Sequence, residues 1–418
     1  MSLLYNTGIH LYRAAASLAA VRSDKVREML RGQKHTLATL ADERRRVAPD
    51  GYDVWIHAAS LGEFEQGRPL IERLRRERPE LKILLTFFSP SGYRVRHNYQ
   101  GADTVAYLPF DTPARVRDFL DAAAPRCAIF VKYEFWGNYL RELRRRGVPT
   151  YIISAIFRPD QVFFKPWARE FRNMLGCFTH IYVQDERSSR LLASVGVDNV
   201  TIAGDTRFDR VADIRQAARR IPVVERFVAD SPFTLVAGSS WAPDEALYIP
   251  WLKANPHVRA VIAPHEFDST RLGALLAALG QSARLLSEIK TPDDLSGSER
   301  YIIVDSFGLL SSLYRYGKAA WVGGGFGTGI HNINEPAAWG IPVMFGPRHL
   351  KFKEAGDMLA QGAAFEIKNQ ADASAVLDSL LSDTSERLAA GQAADRYIKA
   401  NIGATNLIFN HIFNSSDD

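Results

Sequence analysis

The sequence predicts an α/β protein made of two doubly wound domains, each with a parallel sheet covered by helices on both faces. Three observations support this prediction. The chain has 418 residues, enough for two domains with separate cores. From residue 53, short β-branched and aromatic runs alternate with amphipathic helical stretches, the pattern of βαβ units. The alternation pauses over residues 205–230 and restarts at residue 233, which indicates a domain boundary.

Each predicted domain contains seven strands. The first seven are expected at residues 54–58, 83–87, 104–108, 127–131, 150–154, 180–183 and 200–203. The second seven are expected at residues 233–237, 259–263, 283–286, 301–304, 319–322, 342–345 and 364–367. Helices are expected between them, for example at residues 65–76 and 113–123, and a closing helical region at residues 371–413. Ligands of such sheets bind beyond the carboxyl ends of the strands, so the loops there are the candidates for chemistry.

The segment before the first strand has a mixed character. Residues 3–21 are interrupted by Asn6, His10 and Arg13, so they fall short of the ~20 apolar residues of a spanning helix. Helical spacing predicts an apolar flank of Leu4, Leu11, Ala14, Ala15, Leu18 and Val21, followed by Arg22, Lys25, Arg27, Arg31 and Lys34. This pattern favours a helix lying in a membrane interface, with a helix packed on its own domain as the alternative.

Charge is unevenly distributed along the chain. Residues 1–200 carry 31 Lys and Arg against 22 Asp and Glu, whereas the remainder carries 21 against 25. The basic first half favours an anionic partner such as phospholipid headgroups, a phosphorylated lipid or nucleic acid, and solvated helix faces are the alternative. The two cysteines, Cys127 and Cys177, lie in apolar runs, which favours a reducing compartment over a disulfide framework.

The first candidate site is the turn Ser60-Leu61-Gly62-Glu63 after the first strand. Ser60 can cap the following helix, and Glu63 falls in its first turn, where its carboxylate could take a proton from an acceptor hydroxyl. The alternative is that Glu63 is a capping-box carboxylate favoured by the helix dipole.

Two small-residue turns in the second half favour phosphate binding. Gly238-Ser239-Ser240-Trp241 follows a strand, and residues 323–329 contain five glycines after another strand. Backbone N–H groups of such turns attract phosphate oxygens, although neither turn is a Walker sequence or a dinucleotide fingerprint. Residues 329–338 then open a helix in which Glu335 is placed to accept hydrogen bonds from ribose hydroxyls.

Taken together, these motifs resemble those of the 3-deoxy-D-manno-octulosonic acid (Kdo) transferases, which attach Kdo to the lipid A precursor in bacterial lipopolysaccharide assembly. The resemblance covers nearly the whole chain and rests on residues 57–63, 107–111, 132–136, 184–186, 204–209, 304–305 and 331–337. It implies a GT-B fold with two Rossmann-like domains facing a cleft. It also implies an inverting glycosyltransferase that uses CMP-Kdo, with lipid IVA as acceptor and without a cofactor or metal. The implied location is the cytoplasmic face of the inner membrane, peripheral or monotopic.

The resemblance assigns roles to individual residues. Glu63 becomes the catalytic base. The donor-binding set comprises Gly238, Ser239, Ser240, His265, Gly324, Gly325, Asn332, Asn334 and Glu335. The donor-binding set departs from the family pattern at two places. The chain has His265-Glu266 where the family commonly has Arg-His, and Ile333-Asn334 where the family commonly has Pro-Leu. The donor phosphate must then be neutralised by His265, Arg207, Lys351 or helix dipoles.

An aromatic and basic segment follows the fifth strand. Such a segment suits lipid acyl chains and phosphates at a membrane surface, with a buried connecting loop as the alternative. The predicted acceptor or membrane contacts are Arg158, Phe163, Phe164, Lys165 and Trp167.

The resulting domain assignment has four parts. They are a membrane-proximal helix at 1–35, an acceptor-binding domain at 36–210, a CMP-Kdo-binding domain at 211–395, and a C-terminal helix at 396–418 that packs back on the first domain. The alternatives are another GT-B enzyme acting on a UDP-sugar, transferase or epimerase, and a basic nucleic-acid-binding module. No nucleic-acid-binding signature occurs, so nucleic acid is not expected as a partner. The sequence also lacks the Asp-x-Asp motif of metal-dependent transferases.

Overall fold

The computed structural model describes residues 3–414, without the side chains of Leu3 and Leu4. The chain divides into two compact units, one formed by residues 3–209 with 403–414 and the other by Arg210–Ile402. The boundary therefore lies one residue before the predicted one.

The first unit contains a seven-stranded parallel sheet in the order β3-β2-β1-β4-β5-β6-β7. Its strands are β1 (Val54–Ala58), β2 (Ile83–Phe87), β3 (Thr104–Tyr107), β4 (Ala128–Val131), β5 (Thr150–Ala155), β6 (His180–Val183) and β7 (Val200–Ile202). Its helices are α1 (Leu3–Ala19), α2 (Asp24–Val47), α3 (Leu61–Glu77), α4 (Pro90–Arg96), α5 (Pro113–Ala123), α6 (Gly137–Arg145), α7 (Arg169–Leu175) and α8 (Glu186–Ala193). The strand order reverses between β1 and β4, and ligands of doubly wound sheets bind at such a switch point.

The second unit contains a parallel sheet in the order β10-β11-β9-β8-β12-β13-β14, with its switch point between β8 and β12. Its strands are β8 (Thr234–Ser240), β9 (Arg259–Pro264), β10 (Ala283–Leu285), β11 (Tyr301–Ile303), β12 (Ala319–Val322), β13 (Val343–Phe345) and β14 (Ala364–Glu366). The helices that follow β7 are α9 (Arg207–Gln216), α10 (Pro222–Val228), α11 (Ala242–Ala254), α12 (Ser269–Leu279), α13 (Leu310–Leu313), α14 (Asn334–Ala338), α15 (Lys353–Ala360), α16 (Gln370–Ser382), α17 (Thr384–Asn401) and α18 (Ala404–Phe413).

All fourteen predicted strands are present, with ends within three residues of those predicted. The largest difference is in β8, which continues to Ser240 because Gly238 and Ser240 keep pairing with β9 across a bulge. The segment 205–230, predicted to lack a strand, forms α9 and α10. The predicted helix at 65–76 begins four residues earlier, because the Ser60 side chain caps it.

The last helix, α18, returns to the first unit. Ile408 and Phe409 are buried in the same core as Phe64 and Ile71, and the Arg73 guanidinium lies 4.2 Å from the Phe409 ring centroid. The predicted C-terminal segment 396–418 is therefore split, because residues 396–401 complete α17 in the second unit. Residues 415–418 of that segment lie outside the described residues.

Helix α1 is attached to the first unit by a few polar and aromatic contacts. The Tyr5 hydroxyl donates a hydrogen bond to the buried Asp111 carboxylate at 2.6 Å, and burial raises the pKa of Asp111 to about 6. The Tyr12 ring packs edge-on against Phe110. Leu11 and Leu18, from the predicted apolar flank, are 65% and 75% exposed. Leu4 of that flank lies outside the described side chains.

Within the described range 3–414, no helix combines the length and the apolar character needed to span a membrane.

Candidate active site

In the first unit, the turn after β1 presents the Glu63 carboxylate at the carboxyl edge of the sheet. Ser60 is extended and its Oγ accepts a hydrogen bond from the Gly62 N–H at 3.3 Å, which caps α3. The same hydroxyl donates to the Glu63 carboxylate. Glu63 is half-buried in the first helical turn, where the helix dipole favours a negative charge. Its carboxylate is thus oriented by a neutral hydroxyl group.

The loops after β4 and β5 bring an aromatic ring and two cations to the same edge. Arg158 and Lys132 lie over the Tyr133 ring, at 5.9 and 5.2 Å from its centroid. Burial raises the pKa of Tyr133, the Arg158 charge opposes this, and the Glu63 charge adds to it. The charges of Glu63 and Arg158 thus both act on Tyr133, and these three residues are called the Tyr133 cluster.

The backbone at this edge is held in unusual conformations. Lys132, after β4, and Ser154, near the end of β5, have left-handed φ angles of 68° and 52°. Each non-glycine residue in this region costs about 1–3 kcal/mol, and such residues concentrate at functional sites. The Ser154 hydroxyl lies 3.0 Å from the Thr206 hydroxyl, which joins β5 to the loop after β7.

Arg207 is oriented by the buried Asp205. The Asp205 carboxylate accepts hydrogen bonds from the Arg207 backbone N–H and Nε, both at 2.9 Å, and from the Gln66 amide of α3 at 3.2 Å. Arg207 also couples to Tyr133 electrostatically. The structure therefore gives this predicted phosphate or Kdo contact a fixed position in the first unit, in the same cluster as Glu63.

A buried polar pair lies behind this cluster. His57 Nε2 is 3.1 Å from the Glu134 carboxylate, and His57 Nδ1 is 2.9 Å from the Thr86 hydroxyl. The Trp136 indole N–H donates to the same Glu134 oxygen at 2.6 Å. Glu134 is thereby fixed between two partners immediately after Tyr133. The motifs containing His57 and Glu134 are recognisable in the sequence, but their pairing across β1 and β4 is not.

In the second unit, Asp244 lies in the first turn of α11, directly after the small-residue turn that is predicted to bind phosphate. Its buried carboxylate accepts hydrogen bonds from the backbone N–H of Trp241 at 3.0 Å and of Gly324 at 3.1 Å. Burial raises the pKa of Asp244, and these bonds oppose that shift. Two N–H groups that could have cradled an anion are therefore used within the fold. The role of Gly324 is to join the turn after β12 to α11.

Close backbone packing requires the glycines of the predicted donor set. A Cβ on Gly238 would lie 2.0 Å from the Tyr314 hydroxyl, and one on Gly325 would lie 2.5 Å from the Gly346 nitrogen. In the same loop, a Cβ on Gly323 would lie 2.1 Å from the Ser239 carbonyl oxygen. The glycine density thus reflects three loops packed backbone against backbone beyond β8, β12 and β13.

Ser240, predicted to contact the donor, does not face solvent. Its hydroxyl is buried, 2.8 Å from the Tyr248 hydroxyl and 3.2 Å from the Glu245 carboxylate. The prediction for the Ser240 side chain is wrong because β8 extends through this residue and turns the side chain into the core. Ser239, with a φ of 50°, lies at the bulge of β8 and is half-buried.

Three stacked rings line the edge beyond β8, β9 and β12. The Trp241 and His265 rings stack with centroids 4.5 Å apart, and His265 stacks on His331 at the same distance. The Trp241 indole N–H donates to His331 Nε2 at 3.3 Å. Burial lowers the pKa of His331, and the neighbouring His265 adds to this effect. His265 is exposed on one side of this stack, so it remains accessible to an anionic ligand.

Glu335 stands at the start of α14 with its carboxylate held by two neighbours. It accepts hydrogen bonds from the Ser311 hydroxyl at 2.6 Å and from the Asn332 side-chain amide at 3.0 Å. Arg210 and Glu335 are electrostatically coupled. Each carboxylate oxygen retains capacity for a further hydrogen bond, as ribose recognition requires.

Asn334 differs from Asn332 in exposure. Its side chain is 1% exposed, and its Oδ1 atom has no hydrogen-bond partner among the described residues. It supports α14 from inside the fold, and the exposed Asn332 is the asparagine placed for ligand contact.

The loop after β13 contributes an arginine that no motif of the sequence indicates. The Arg348 guanidinium donates to the Gly327 carbonyl oxygen, and its backbone N–H donates to Gly325 at 3.0 Å. Lys351, a predicted phosphate or Kdo contact, is exposed in the same loop. Nothing in the local sequence distinguishes Arg348, because its position depends on the contact between the loops after β12 and β13.

The predicted acceptor or membrane segment divides into buried and exposed parts. Phe163 is only 5% exposed and packs against Phe135 and Phe157, with ring centroids 4.8 and 6.0 Å away. The prediction of Phe163 as a contact residue is wrong, because the 3-10 turn at Val162–Phe164 directs this ring into the core. Trp167 is 73% exposed, Arg158 is exposed, and Phe164 and Lys165 are half-buried.

Among residues 3–414, no three His, Cys, Asp or Glu side chains are grouped so that they could hold a metal ion.

Comparison with known proteins identifies relatives over most of the chain. A family model described as 3-Deoxy-D-manno-octulosonic-acid transferase (kdotransferase) matches residues 25–210. A 3-deoxy-D-manno-octulosonic acid transferase of Bordetella pertussis is 29% identical over 385 residues, covering 86% of this chain and 87% of that protein. The protein of the same name from Aquifex aeolicus (strain VF5) is 28% identical over 338 residues, covering 79% and 86%.

Solved structures support the fold. The UDP-GlcNAc 2-epimerase of Neisseria meningitidis bound to UDP-GlcNAc superposes with a TM-score of 0.60 at 14% identity, covering 87% of this chain and all of that one. MurG of Acinetobacter baumannii superposes with a TM-score of 0.54 at 12% identity, covering 86% and 99%. At these identities the likeness extends to the fold alone, which is GT-B.

Proposed function

The chain belongs to the 3-deoxy-D-manno-octulosonic acid (Kdo) transferase family, and on this premise we propose that it transfers Kdo from CMP-Kdo to a hydroxyl group of a lipid A precursor. The observation that carries the proposal is the arrangement around Glu63. A capped helix start presents this carboxylate at the switch point of the first sheet, next to Tyr133 and the cations Arg158 and Arg207.

In the proposed reaction Glu63 acts as general base. The carboxylate takes the proton of the acceptor hydroxyl as its oxygen attacks the anomeric carbon of Kdo, and the bond to the CMP phosphate breaks with inversion. Arg158 and Arg207 stabilise negative charge on the Kdo carboxylate or on the phosphorylated acceptor. The hydrogen bond from Ser60 keeps the Glu63 carboxylate in its orientation.

The donor nucleotide is assigned to the second unit, and no cofactor is invoked. Glu335 and Asn332 are the groups proposed to contact the ribose. His265, Lys351 and Arg348 are the cationic or titratable groups available for the phosphate. Because Asp244 takes the N–H groups of Trp241 and Gly324, these two amides are not available to the donor phosphate.

Acceptor-dependent release of CMP tests this function. Purified protein is incubated with CMP-Kdo or with UDP-GlcNAc, each with and without a tetra-acylated lipid A precursor in detergent. We expect CMP release only with both CMP-Kdo and acceptor. Consumption of UDP-GlcNAc instead would assign the chain to the UDP-sugar enzymes whose fold it shares.

Replacing Glu335 with alanine is expected to raise the donor KM about 10- to 100-fold with a smaller change in kcat. Hydrogen bonds to a charged group contribute about 1.5–3 kcal/mol, and those to the ribose are made equally in the ground and transition states. Glu354→Ala on α15 is less suitable as a control because that side chain is buried. Glu386→Ala on the exposed start of α17 is therefore the matched variant. A donor KM unchanged in Glu335→Ala would contradict the ribose assignment.

We further propose that the protein works at the cytoplasmic face of the inner membrane, with α1 lying in the lipid interface. The double variant Leu11→Ser/Leu18→Ser is expected to reduce partition onto lipid vesicles at least tenfold, because each exposed leucine loses about 1.5–3 kcal/mol of burial. This variant tests the membrane contact more specifically than a truncation of α1 would, because it leaves the Tyr5–Asp111 hydrogen bond in place.

The control for α1 is Leu388→Ser/Leu407→Ser, which removes two other exposed leucines. Co-sedimentation with vesicles measures both variants. Equal binding of the α1 variant and the unmodified protein would show that α1 is not the membrane contact.

A further inference from the structure

A basic groove with a volume of about 950 Å³ lies beside α6 in the first unit. It is lined by residues of α5, α6 and α7, together with Asn6 of α1 and the turn at residues 195–197. Five arginines line it: Arg117, Arg141, Arg144, Arg145 and Arg172. The groove uses none of the residues assigned above to Kdo transfer.

The charge of the groove is only partly compensated. Glu142 is the one acidic residue in its lining. Arg145 and Arg146 hold the pKa of Glu142 near 2, so this carboxylate is ionised at any physiological pH. Arg141 also approaches the Glu170 carboxylate at 3.7 Å. With five cations and one anion in the lining, the groove favours an anionic ligand.

Two of the arginines are directed by backbone carbonyl groups. Arg144 donates to the Gly176 carbonyl oxygen at 3.0 Å, and Arg172 donates to that of Lys165 at 2.9 Å. A carbonyl accepts a hydrogen bond without cancelling the charge. These guanidinium groups are thereby held in place with their positive charge retained, which suits binding of phosphate oxygens.

The surroundings of the groove indicate where its ligand comes from. Asn6, which lines the groove, belongs to α1, and this helix also carries the exposed Leu11 and Leu18. The Arg172 guanidinium donates a hydrogen bond at 3.3 Å to the carbonyl oxygen of Pro166. The next residue, Trp167, is 73% exposed. Exposed apolar side chains that can enter a lipid layer therefore occur in α1 and beside Pro166, two segments that contact the groove or its arginines, as expected for a surface that meets headgroups. A soluble phosphate compound would not require these apolar neighbours.

We propose that this groove binds the phosphate-bearing headgroup of an anionic membrane lipid. The inference does not depend on the transferase reaction. The basic groove makes the first unit selective for anionic over neutral lipid surfaces. The apolar residues of α1 supply affinity for both kinds of surface. The acceptor and the donor bind elsewhere.

The test compares vesicles of pure phosphatidylcholine with vesicles that also contain phosphatidylglycerol. The triple variant Arg117→Gln/Arg141→Gln/Arg145→Gln retains Arg144 and Arg172, so their hydrogen bonds to backbone carbonyl groups are kept. Because one basic side chain contributes roughly a fivefold gain at an anionic surface, we expect about 100-fold weaker partition onto the phosphatidylglycerol vesicles and no change on phosphatidylcholine. The thermal unfolding of the variant shows whether it remains folded.

The matched control is Arg219→Gln/Arg220→Gln/Arg226→Gln, which removes the same charge from exposed positions in the second unit. It should retain most of the anionic binding. Equal loss in both triple variants would mean that net charge alone acts, and would overturn the proposal. Normal vesicle binding of the groove variant with a raised KM for the detergent-solubilised acceptor would overturn it as well, because the groove would then hold the acceptor.

Discussion

Replacing Glu63 with glutamine is expected to lower kcat for Kdo transfer about 1,000-fold while leaving CMP-Kdo binding nearly unchanged. The amide retains the shape of the side chain and can still accept a hydrogen bond from Ser60, but it cannot take the acceptor proton. General base catalysis contributes typically 10²- to 10⁴-fold, which sets the size of the effect. Steady-state kinetics and calorimetric titration with the donor measure the two quantities separately.

The control for this variant is Glu77→Gln at the exposed end of the same helix, where Glu77 pairs with Arg73 and Arg76. Such pairs contribute little to stability, so both activity and melting temperature should stay close to those of the unmodified protein. Turnover of Glu63→Gln within tenfold of the unmodified protein would exclude Glu63 as the base.

Replacing Gly323 with alanine is expected to produce the largest structural effect at the donor site. The new Cβ would meet the Ser239 carbonyl oxygen at 2.1 Å, and a backbone atom inside a paired strand cannot move aside easily. Overpacking costs typically 1–3 kcal/mol. At the upper end of that range, the melting temperature of the second unit should fall by about 10 °C, and CMP-Kdo affinity should weaken at least tenfold.

Gly327→Ala provides the matched control in the same loop. Its Cβ would lie 3.6 Å from the nearest atom, the Gly324 carbonyl oxygen, which is an ordinary contact. We expect a melting temperature within about 2 °C of the unmodified protein, because substitutions at uncrowded positions usually change stability by less than 0.5 kcal/mol. If calorimetry gave the same unfolding temperature for Gly323→Ala, the close packing of these loops would be refuted.

Most strands could be predicted from the sequence because they are short, mainly apolar runs between helical stretches. In a parallel sheet covered on both faces, such runs are buried on both sides, as the runs Val54–Ala58 and Ile83–Phe87 are. The position of Glu63 was predictable for a related reason. A serine directly after a strand, followed three residues later by glutamate, predicts a capped helix start at the carboxyl edge of the sheet.

Side-chain direction within the site could not be predicted. Ser240 and Phe163 have the chemistry of contact residues, but a three-residue extension of β8 and a 3-10 turn direct them into the core. The sequence does not predict the role of Asp244. Its two partners, Trp241 and Gly324, are far from each other in sequence and meet only because β8 and β12 pair. The pairing of Arg207 with Asp205 is local, whereas its coupling to Tyr133 depends on the order of β4 and β7 in the sheet.

The central claim is that this chain moves Kdo from CMP-Kdo to a lipid A precursor. Mass spectrometry of the lipid after incubation with purified protein and CMP-Kdo tests it most directly. We expect the mass of the acceptor to rise by one or more whole Kdo residues and the rise to be lost in Glu63→Gln. An acceptor of unchanged mass, in the presence of protein that is folded and binds CMP-Kdo, would contradict it.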